Sequence, residues 1–444
     1  MNIELPEKVK SLLGQMTEKG FKAYVVGGAV RDLILKREIK DWDLTTDATP
    51  EQILQIFPEG FSNNQFGTVG LQTDLGIVEI TTMRQEGEYS DARHPDQLSW
   101  TKDINEDLKR RDFTINAIAL SLDEKMIDPF NGIQDLEDRK IKTVGDADKR
   151  FSEDALRLMR AIRFAVTLGF TIDDPTYEAI RLNSSKLANI SWERIRDELM
   201  KILASDFPYE GMMLLRSSGL LDYILPEIAK CFGIVQEGPK HDRVYDIGEH
   251  SFRSLKFCPS LDPIIRFACL IHDVGKLPTY KVDSIGNVTF YGHDVVGGRI
   301  AESICKRLKF SKKDSDLVVS LVRYHLFTVD EHQTDAAVRR FIKNIGIENL
   351  DNMFALREAD RLGGSSNPTS WRTEYFKERT KKVLEKPFSV TDLKVNGKDV
   401  METLGIPPSR KVGEILDKLF EEVSEDQAKN EREYLLKRMA DLVA

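Results

Sequence analysis

The spacing of apolar positions divides the chain into a mixed first part and a long helical remainder. Before about residue 140, short apolar runs such as AYVVGG (23–28) and GIVEITT (76–82) alternate with helical segments. From about residue 146 onward, apolar residues recur every three or four positions, the period of an amphipathic helix. A piece at 281–294 interrupts this period and predicts a small hairpin. The pattern predicts an α+β protein: a small mixed α/β head, then a mostly helical neck, body and tail.

Length supports several domains. The chain has 444 residues, whereas a single core rarely grows beyond ~250–300 residues. Changes in pattern predict four domains, with these bounds: 1–140, 141–240, 241–360 and 361–444.

Composition narrows the class of protein. Hydrophobic residues make up 41% and charged residues 31%, a mix that excludes wholesale disorder. No apolar run reaches the ~18–20 residues that span a bilayer, and the first ten residues do not resemble a secretory signal. The four cysteines form no CxxC pair and have apolar neighbours, as in reduced, buried thiols. We therefore expect a cytoplasmic protein without a membrane partner, and the pattern says nothing of its oligomeric state.

Charge and histidine content indicate where chemistry is located. The net charge of −9 argues against a general nucleic-acid coat but allows a local basic surface. Six of the 7 histidines fall between positions 241 and 332. This clustering predicts a metal site confined to one domain.

Two acids near the start form the first candidate site. Asp41 and Asp43 are two apart on a predicted strand, so both project from the same face. Adjacent carboxylates repel unless a cation lies between them, and Mg²⁺ prefers such oxygen ligands. The alternative is a pair of exposed strand-edge aspartates. Gly27-Gly28 opens a helix where backbone N–H groups can approach a phosphate, and Arg31 lies in its first turn. Together these features predict a metal–triphosphate site.

The same segments carry a family resemblance. VVGGAVRD (25–32) followed by DWDLTT (41–46) resembles the head of the nucleotidyltransferase superfamily that includes DNA polymerase β. More closely, the chain resembles the class II branch of bacterial tRNA CCA-adding enzymes and poly(A) polymerases. Four later segments match in family order, most closely within residues 20–235: KRRDFTINAIAL (109–120), DPFNGIQDLEDRKIKTVGDADKRF (128–151), EDALRLMRAIRFA (153–165) and SWERIRDEL (191–199).

The resemblance implies roles for individual residues. It makes Asp41 and Asp43 the catalytic, metal-binding carboxylates, with Mg²⁺ as the cofactor. Glu79 is either a third acid or a solvent-facing strand residue. The residues that it implies for nucleotide binding are Gly28, Arg31, Arg111, Asp154, Arg157, Arg160 and Arg163.

Asp154 and Arg157 would read the base. They are three apart in the helix expected at 153–165, so they would share a face. Asp154 accepts from an exocyclic amine and Arg157 donates to the adjacent ring nitrogen, an order that cytosine and adenine both match. Guanine and uracil present a carbonyl oxygen to Asp154, which leaves two acceptors facing each other. Arg160 and Arg163 continue the stripe toward the triphosphate; the alternative is a solvated charged face.

Two further segments concern the substrates. The polar loop EYSDARHP (88–95) resembles the loop kept by enzymes that add the terminal A, and we expect Asp91 and Arg93 to act in the change from C to A addition. The segment 392–423 resembles the family's tRNA-binding tail. A basic run precedes it: Arg372, Lys377, Arg379, Lys381 and Lys382. The implied partners are tRNA, CTP and ATP.

A second resemblance concerns the histidine-rich region. EHS (249–251), ACLIHDVGK (268–276) and READ (357–360), with YGHD and RYH between them, resemble the HD phosphohydrolase superfamily. This implies a divalent transition metal held by His250, His272, Asp273 and Asp360. His293 and His325 could hold a second ion. The alternative is a helical domain with vestigial ligands.

The expected function is a template-independent tRNA nucleotidyltransferase that builds or repairs the 3′-CCA end. Four alternatives stay open at this point: an A-only adding enzyme, a poly(A) polymerase, a metal phosphohydrolase whose main activity is in the HD domain, and a non-catalytic RNA-binding protein.

Overall fold

The computed structural model describes residues 4–63, 67–86, 98–236, 245–284, 286–327, 334–384 and 390–442. Contacts divide the chain into two compact units. The first runs to Ala229 and includes Arg307–Lys309; the second comprises Lys230–Lys306 and the chain from Phe310 onward. The predicted α+β class is confirmed, and the division into four domains stays a prediction.

The first unit begins with a mixed head. Its strands are β1 Ala23–Val26, β2 Trp42–Thr46, β3 Phe61–Asn63, β4 Thr68–Thr73, β5 Gly76–Thr82, β6 Arg84–Glu86, β7 Leu98–Trp100, β8 Ala119–Ser121 and β9 Met126–Ile127. Its helices are α1 Glu7–Glu18, α2 Gly28–Ile34, α3 Pro50–Ile56, α4 Ile104–Lys109 and α5 Gly132–Glu137, with a 3₁₀ turn at Thr114–Asn116.

One sheet organises the head. Seven strands lie in the order β3-β4-β5-β2-β1-β8-β9, and β6 pairs separately with β7. Within the large sheet β2 and β5 are parallel, which sets Asp43 beside Glu79. Trp42, Leu44 and Val78 point into the core and are buried. The acids next to Trp42 therefore face the opposite side.

The helical part of the first unit follows. Its elements are β10 Lys140–Ile141, α6 Ala147–Glu153, α7 Leu156–Leu168, β11 Thr171–Ile172, α8 Asp174–Asn183, a 3₁₀ segment Ser184–Asn189, α9 Trp192–Leu203, α10 Pro208–Ser217, α11 Leu221–Ile224 and α12 Pro226–Ala229. The short strands β10 and β11 pair in parallel. Helix α7 packs on α9 and α10. Gly169 ends α7 with φ of 69°, a left-handed conformation that glycine adopts without steric cost.

One helix prediction for this part is wrong. The segment 153–165 is not a continuous helix, because Asp154 is extended, with φ −144° and ψ 105°, between α6 and α7. Its Oδ1 accepts a hydrogen bond from the backbone N–H of Leu156 at 3.0 Å. This side-chain hydrogen bond replaces a helical backbone hydrogen bond, so α7 begins only at Leu156 and the helix that the apolar period predicted is interrupted.

Where the structure describes the second unit, helices form all of its regular secondary structure except for one hairpin. Its helices are α13 Ile247–Lys256, α14 Pro263–Ile271, α15 Lys276–Thr279, α16 His293–Arg307, α17 Lys312–Tyr324, α18 Asp335–Ile345, α19 Leu350–Gly363, α20 Trp371–Leu384, α21 Gly397–Leu404, α22 Arg410–Glu425 and α23 Arg432–Asp441. Its 3₁₀ turns are Ile347–Asn349, Val390–Asp392 and Gln427–Lys429. Strands β12 Lys281–Val282 and β13 Val288–Thr289 form the predicted hairpin.

Four helices of this unit pack against one another. Helix α13 packs against α14 and α19, and α14 also packs against α17. A separate apolar cluster holds the last helices together through Val400, Leu419 and Leu435, each fully buried. Within the described ranges, no helix is both long enough and apolar enough to cross a bilayer.

Candidate active site

The first unit contains a cavity of about 570 Å³ that is lined by both acidic and basic side chains. All nine residues predicted for the head site line it: Gly28, Arg31, Asp41, Asp43, Arg111, Asp154, Arg157, Arg160 and Arg163. They come from β2 and the residue before it, from α2, from the segment after α4, from the break between α6 and α7, and from α7 itself. The structure thus brings the predicted residues together, while the role of each stays a prediction.

The acid pair is electrostatically strained without a cation. Burial raises the pKa of Asp43 to about 6, and the carboxylates of Glu79 and Asp41 act in the same direction, against the guanidiniums of Arg111 and Arg31. A divalent cation would relieve this repulsion, so the donor set fits a hard metal ion. Glu79 lies beside Asp43 on β5, but it is exposed and does not line the cavity.

Two glycines let the backbone approach the cavity. Gly27 has φ of 70°, and a Cβ built on it would lie 2.7 Å from Nη1 of Arg111 and 3.7 Å from Oδ2 of Asp43. No side chain therefore fits at this position without moving Arg111. Gly28 then begins α2, whose first turn carries Arg31.

The arginines are oriented by buried or half-buried partners. Nη1 of Arg31 donates to Asn116 Oδ1 at 2.8 Å, and its Nε and Nη2 donate to the Asp32 carboxylate at 3.0 and 2.8 Å. Arg160 donates from Nε to Asp112 Oδ2 at 2.7 Å, and Nε of Arg163 lies 2.7 Å from Glu198 Oε2.

Charge in the cavity is unbalanced toward the positive. Burial lowers the pKa of Arg163 to about 10 although Glu198 opposes it, and the neighbouring Arg160 adds to the decrease. Burial would raise the pKa of Asp112, yet Arg160 and Arg157 hold it well below its usual range. Three guanidiniums lie over the Phe164 ring, those of Arg31, Arg160 and Arg163, at 5.2, 5.3 and 4.1 Å from its centroid. Such a cluster favours a polyanionic ligand.

The expected base reader is present with a different geometry. Because Asp154 lies between α6 and α7, it does not share a helix face with Arg157, and that expectation is wrong. Both side chains nevertheless line the cavity. Oδ2 of Asp154 accepts from Nη2 of Arg194 at 2.7 Å. Arg157 donates to Glu153 Oε2 at 2.6 Å and to the carbonyl oxygens of Arg150 and Arg110 at 3.0 and 3.2 Å.

Several residues at this site were missed by reasoning from sequence. They are Arg84, Arg110, Asp112, Asn116, Leu156, Phe164 and Arg194, all of which line the cavity. Arg194 lies in the SWERIRDEL segment, but its pairing with Asp154 spans 40 residues and only the fold reveals it. The loop 88–95, with Asp91 and Arg93, lies outside the described residues.

A second cluster lies in the second unit. The predicted ligands His250, His272, Asp273 and Asp360 are buried, and one possible ligand atom of each lies within 4.8 Å of the others. Nε2 of His250 is 3.2 Å from Asp273 Oδ2 and 3.1 Å from Asp360 Oδ1. A second group shares Asp273: its Oδ1 is 3.4 Å from His293 Nε2 and 3.5 Å from His325 Nε2.

Hydrogen bonds fix the tautomers in this cluster. Nδ1 of His272, His293 and His325 lies 2.8, 2.8 and 2.7 Å from the carbonyl oxygens of Cys269, Phe290 and Val322. Since a carbonyl only accepts, Nδ1 carries a proton in each of these rings, and Nε2 is the nitrogen that faces the carboxylates and can bind a metal ion once it gives up its own proton. This is the arrangement in which imidazole binds a metal ion.

The buried carboxylates of the cluster favour positive charge beside them. Burial would lower the pKa of His272, but Asp273 and Asp360 raise it to about 10. Burial likewise opposes ionisation of Asp360, yet hydrogen bonds from His250 and His272 hold its pKa well below the usual range. The two buried carboxylates thus stabilise a positive charge beside them. A donor set of imidazoles and carboxylates fits a divalent transition metal. Lys276 Nζ also contacts Asp273 and donates to Gln236 Oε1 at 2.6 Å.

The basic run on α20 is partly neutralised. Arg379 pairs with Asp335 at 2.7 Å and Lys377 with Glu374 at 3.2 Å. Ion pairing therefore weakens the case that the whole run serves a nucleic-acid contact.

Three protein-family models match successive parts of the chain. The Poly A polymerase head domain family matches residues 23–142, an RNA and SrmB-binding site of polymerase A matches 169–232, and tRNA nucleotidyltransferase domain 2 matches 295–439.

Relatives that align over most of their length are also named as tRNA nucleotidyltransferases. A CCA-adding enzyme of Geobacillus kaustophilus is 32% identical over 434 residues, 96% of this chain and 95% of the relative. An A-adding tRNA nucleotidyltransferase of Deinococcus radiodurans is 34% identical over 411 residues, 90% and 91% of the two chains. The solved structure of the Bacillus stearothermophilus CCA-adding enzyme in complex with CTP aligns with a TM-score of 0.71 and 28% identity, covering 98% of this chain and 97% of that one. The chain therefore belongs to the tRNA nucleotidyltransferase family that contains the CCA-adding enzymes.

Proposed function

We propose that this protein adds or repairs the 3′-terminal CCA of tRNA from CTP and ATP without a nucleic-acid template. The observation that carries the proposal is the single cavity that holds the acid pair, the arginine cluster and the Asp154/Arg157 pair. These groups correspond to the three parts of the reaction: hydroxyl activation, triphosphate binding and base selection. The relatives named as CCA-adding enzymes support this assignment.

The acid pair would hold Mg²⁺. Mg²⁺ held there would lower the pKa of the tRNA 3′-hydroxyl and offset charge on the triphosphate. In the reaction the hydroxyl oxygen bonds to the α-phosphorus, the bond between the α- and β-phosphates breaks, and pyrophosphate leaves. Arg31, Arg160 and Arg163 bind and orient the triphosphate, because their partners already fix their guanidiniums around the Phe164 ring.

Base selection rests on the donors and acceptors that remain on Asp154 and Arg157. Each carboxylate oxygen of Asp154 receives one hydrogen bond, from Leu156 or from Arg194, and keeps a second lone pair for an exocyclic amine. The contacts described for Arg157 use three of its five N–H donors, which leaves two for a ring nitrogen. Cytosine and adenine satisfy both groups.

One assay separates this proposal from its alternatives. The purified protein is given tRNA lacking CCA, or tRNA ending in CC, with Mg²⁺ and labelled CTP and ATP. Addition of C, C and then A supports full CCA addition. A addition restricted to the CC-ending tRNA indicates an A-adding enzyme, the activity for which the Deinococcus relative is named. A long A tail indicates a poly(A) polymerase, and no addition to either tRNA contradicts the proposal.

Changing Asp154 should alter base choice. Asp154→Asn places an amide donor where the carboxylate accepts, so UTP and GTP should gain relative to CTP and ATP by roughly 10–100-fold. The measurement is kcat/KM for each nucleotide on tRNA lacking CCA. Asp174→Asn, an exposed aspartate at the start of α8, is the matched control. An unchanged order of preference would show that the base is read elsewhere.

Gly27→Ala should weaken nucleotide binding. The new Cβ displaces Arg111, so KM for both CTP and ATP should rise several-fold, and the positive φ lowers the free energy of unfolding by ~1 kcal/mol. Gly76→Ala is the control, because Gly76 has φ of 94° with nothing within 4 Å of its Cβ position. Equal rises in KM for both variants would contradict the role of Gly27.

A second activity is proposed for the second unit. The convergence of His250, His272, Asp273 and Asp360 favours a metal-dependent phosphohydrolase, with His293 and His325 available for a second ion. The test is hydrolysis of bis(p-nitrophenyl) phosphate with Mn²⁺ or Ni²⁺. No turnover with a stoichiometrically bound ion would indicate a structural metal site.

The location that we propose is cytoplasmic. All four cysteines are free and buried, as expected in a reducing compartment.

A further inference from the structure

Two thiols in the second unit lie next to each other. Sγ of Cys258 and Sγ of Cys269 are 3.5 Å apart. Cys258 follows α13 and Cys269 lies within α14. A disulfide needs an S–S distance of ~2.05 Å, so the sulfur atoms must approach each other by only ~1.5 Å.

The two thiols are chemically unequal. The S–H of Cys269 donates to Sγ of Cys258, and this hydrogen bond lowers the pKa of Cys258 against the effect of burial; the Ser260 backbone and the Arg266 guanidinium act in the same direction. Cys258 also keeps 8% of its surface exposed, whereas Cys269 has none. The more accessible sulfur is therefore the better nucleophile.

The loop that carries Cys258 is anchored to α14. Nε of Arg266 donates to the carbonyl oxygen of Ser260 at 2.9 Å, and Asp262 caps α14 by accepting from the Ile264 N–H at 2.8 Å. Arg266 lies one turn before Cys269 and is itself buried. These contacts hold Cys258 opposite Cys269, so the short separation is built into the fold.

We propose that Cys258 and Cys269 form a reversible oxidation site for hydroperoxides. The Cys258 thiolate attacks one oxygen of hydrogen peroxide, the O–O bond breaks, and the released hydroxide takes a proton to become water. The sulfur of Cys269 then attacks the sulfenic acid, the S–S bond forms, and the hydroxyl leaves as water with the proton of Cys269. In sum, two thiols and one peroxide give one disulfide and two waters, and a dithiol reductant reverses the change.

The cross-link would act on the neighbouring histidine cluster. It joins the end of α13, which carries His250, to α14, which ends next to His272. The carbonyl of Cys269 is also the acceptor for Nδ1 of His272. The inference does not depend on any hydrolase activity, because its test counts thiols.

The test is oxidation of the folded, full-length protein by equimolar hydrogen peroxide. Titration after denaturation should find two thiols where the reduced protein has four, and a non-reducing digest should contain one peptide pair joined through Cys258 and Cys269. Dithiothreitol should restore all four thiols. The double variant Cys231→Ala/Cys305→Ala should form the same cross-link, and Cys269→Ala should accumulate a sulfenic acid at Cys258 that a 1,3-diketone traps.

Three results would overturn the proposal: four thiols remaining after peroxide treatment, oxidation of Cys258 to the sulfinic acid without a cross-link, or a disulfide that involves Cys231 or Cys305. The peptide map of the unaltered protein decides among them, so a variant that folds poorly does not leave the question open.

Discussion

Replacing Asp43 by asparagine should abolish addition of both C and A. The amide keeps the shape of the side chain but removes the charge that would bind Mg²⁺, and every addition step uses the same metal site. The expected loss is ~10²–10³-fold or more in kcat, measured with tRNA lacking CCA for CTP and tRNA ending in CC for ATP.

The matched control is Asp74→Asn. Asp74 is exposed in the turn between β4 and β5, so this variant loses one carboxylate of the same sheet without touching the cavity. Melting curves of both variants should show that each is folded. Near wild-type turnover in a folded Asp43→Asn protein would remove Asp43 from the proposed metal site.

The second large effect is expected from Asp273→Asn. Its two carboxylate oxygens face different imidazoles, Oδ2 toward His250 and His272 and Oδ1 toward His293 and His325. One substitution therefore weakens both candidate ion positions. Metal content after loading with Mn²⁺ should fall to background, and hydrolysis of bis(p-nitrophenyl) phosphate should disappear.

CCA addition should persist in the same variant. The cavity of the first unit and the histidine cluster belong to different compact units and offer different ligand types. Asp351→Asn, at an exposed position of α19, controls for the loss of a carboxylate from this unit. A folded, tRNA-binding Asp273→Asn protein that cannot add CTP would show that the two sites are not independent.

Local patterns predicted the acid pair, the glycine turn and Arg31 of the head site because these groups follow short-range rules. The other residues of the site were implied by the family resemblance. The alternation that buries Trp42 also sets Asp43 on the opposite side, and the Gly27-Gly28 turn precedes Arg31 by three residues. Neither feature depends on distant contacts, so the sequence alone could place these groups.

The break at Asp154 could not be predicted in the same way. Apolar spacing is preserved through 153–165, and one extended residue does not disturb a period of three and four. The ion pair with Arg194 depends on the packing of α7 against α9. In the second unit, the candidate metal ligands were identified through a family resemblance. That they lie close together depends on how α13, α14 and α19 pack.

The hydrogen bonds of three imidazoles also bear on how the cluster would acquire the proposed metal ion. Each Nδ1 donates to the carbonyl of the residue three positions earlier, from His272 to Cys269, from His293 to Phe290 and from His325 to Val322. The ring orientation is thus fixed by the turn on which the histidine stands, before any ion arrives. Ion capture then requires little reorganisation, so loading should follow a single bimolecular phase without a slow conformational step.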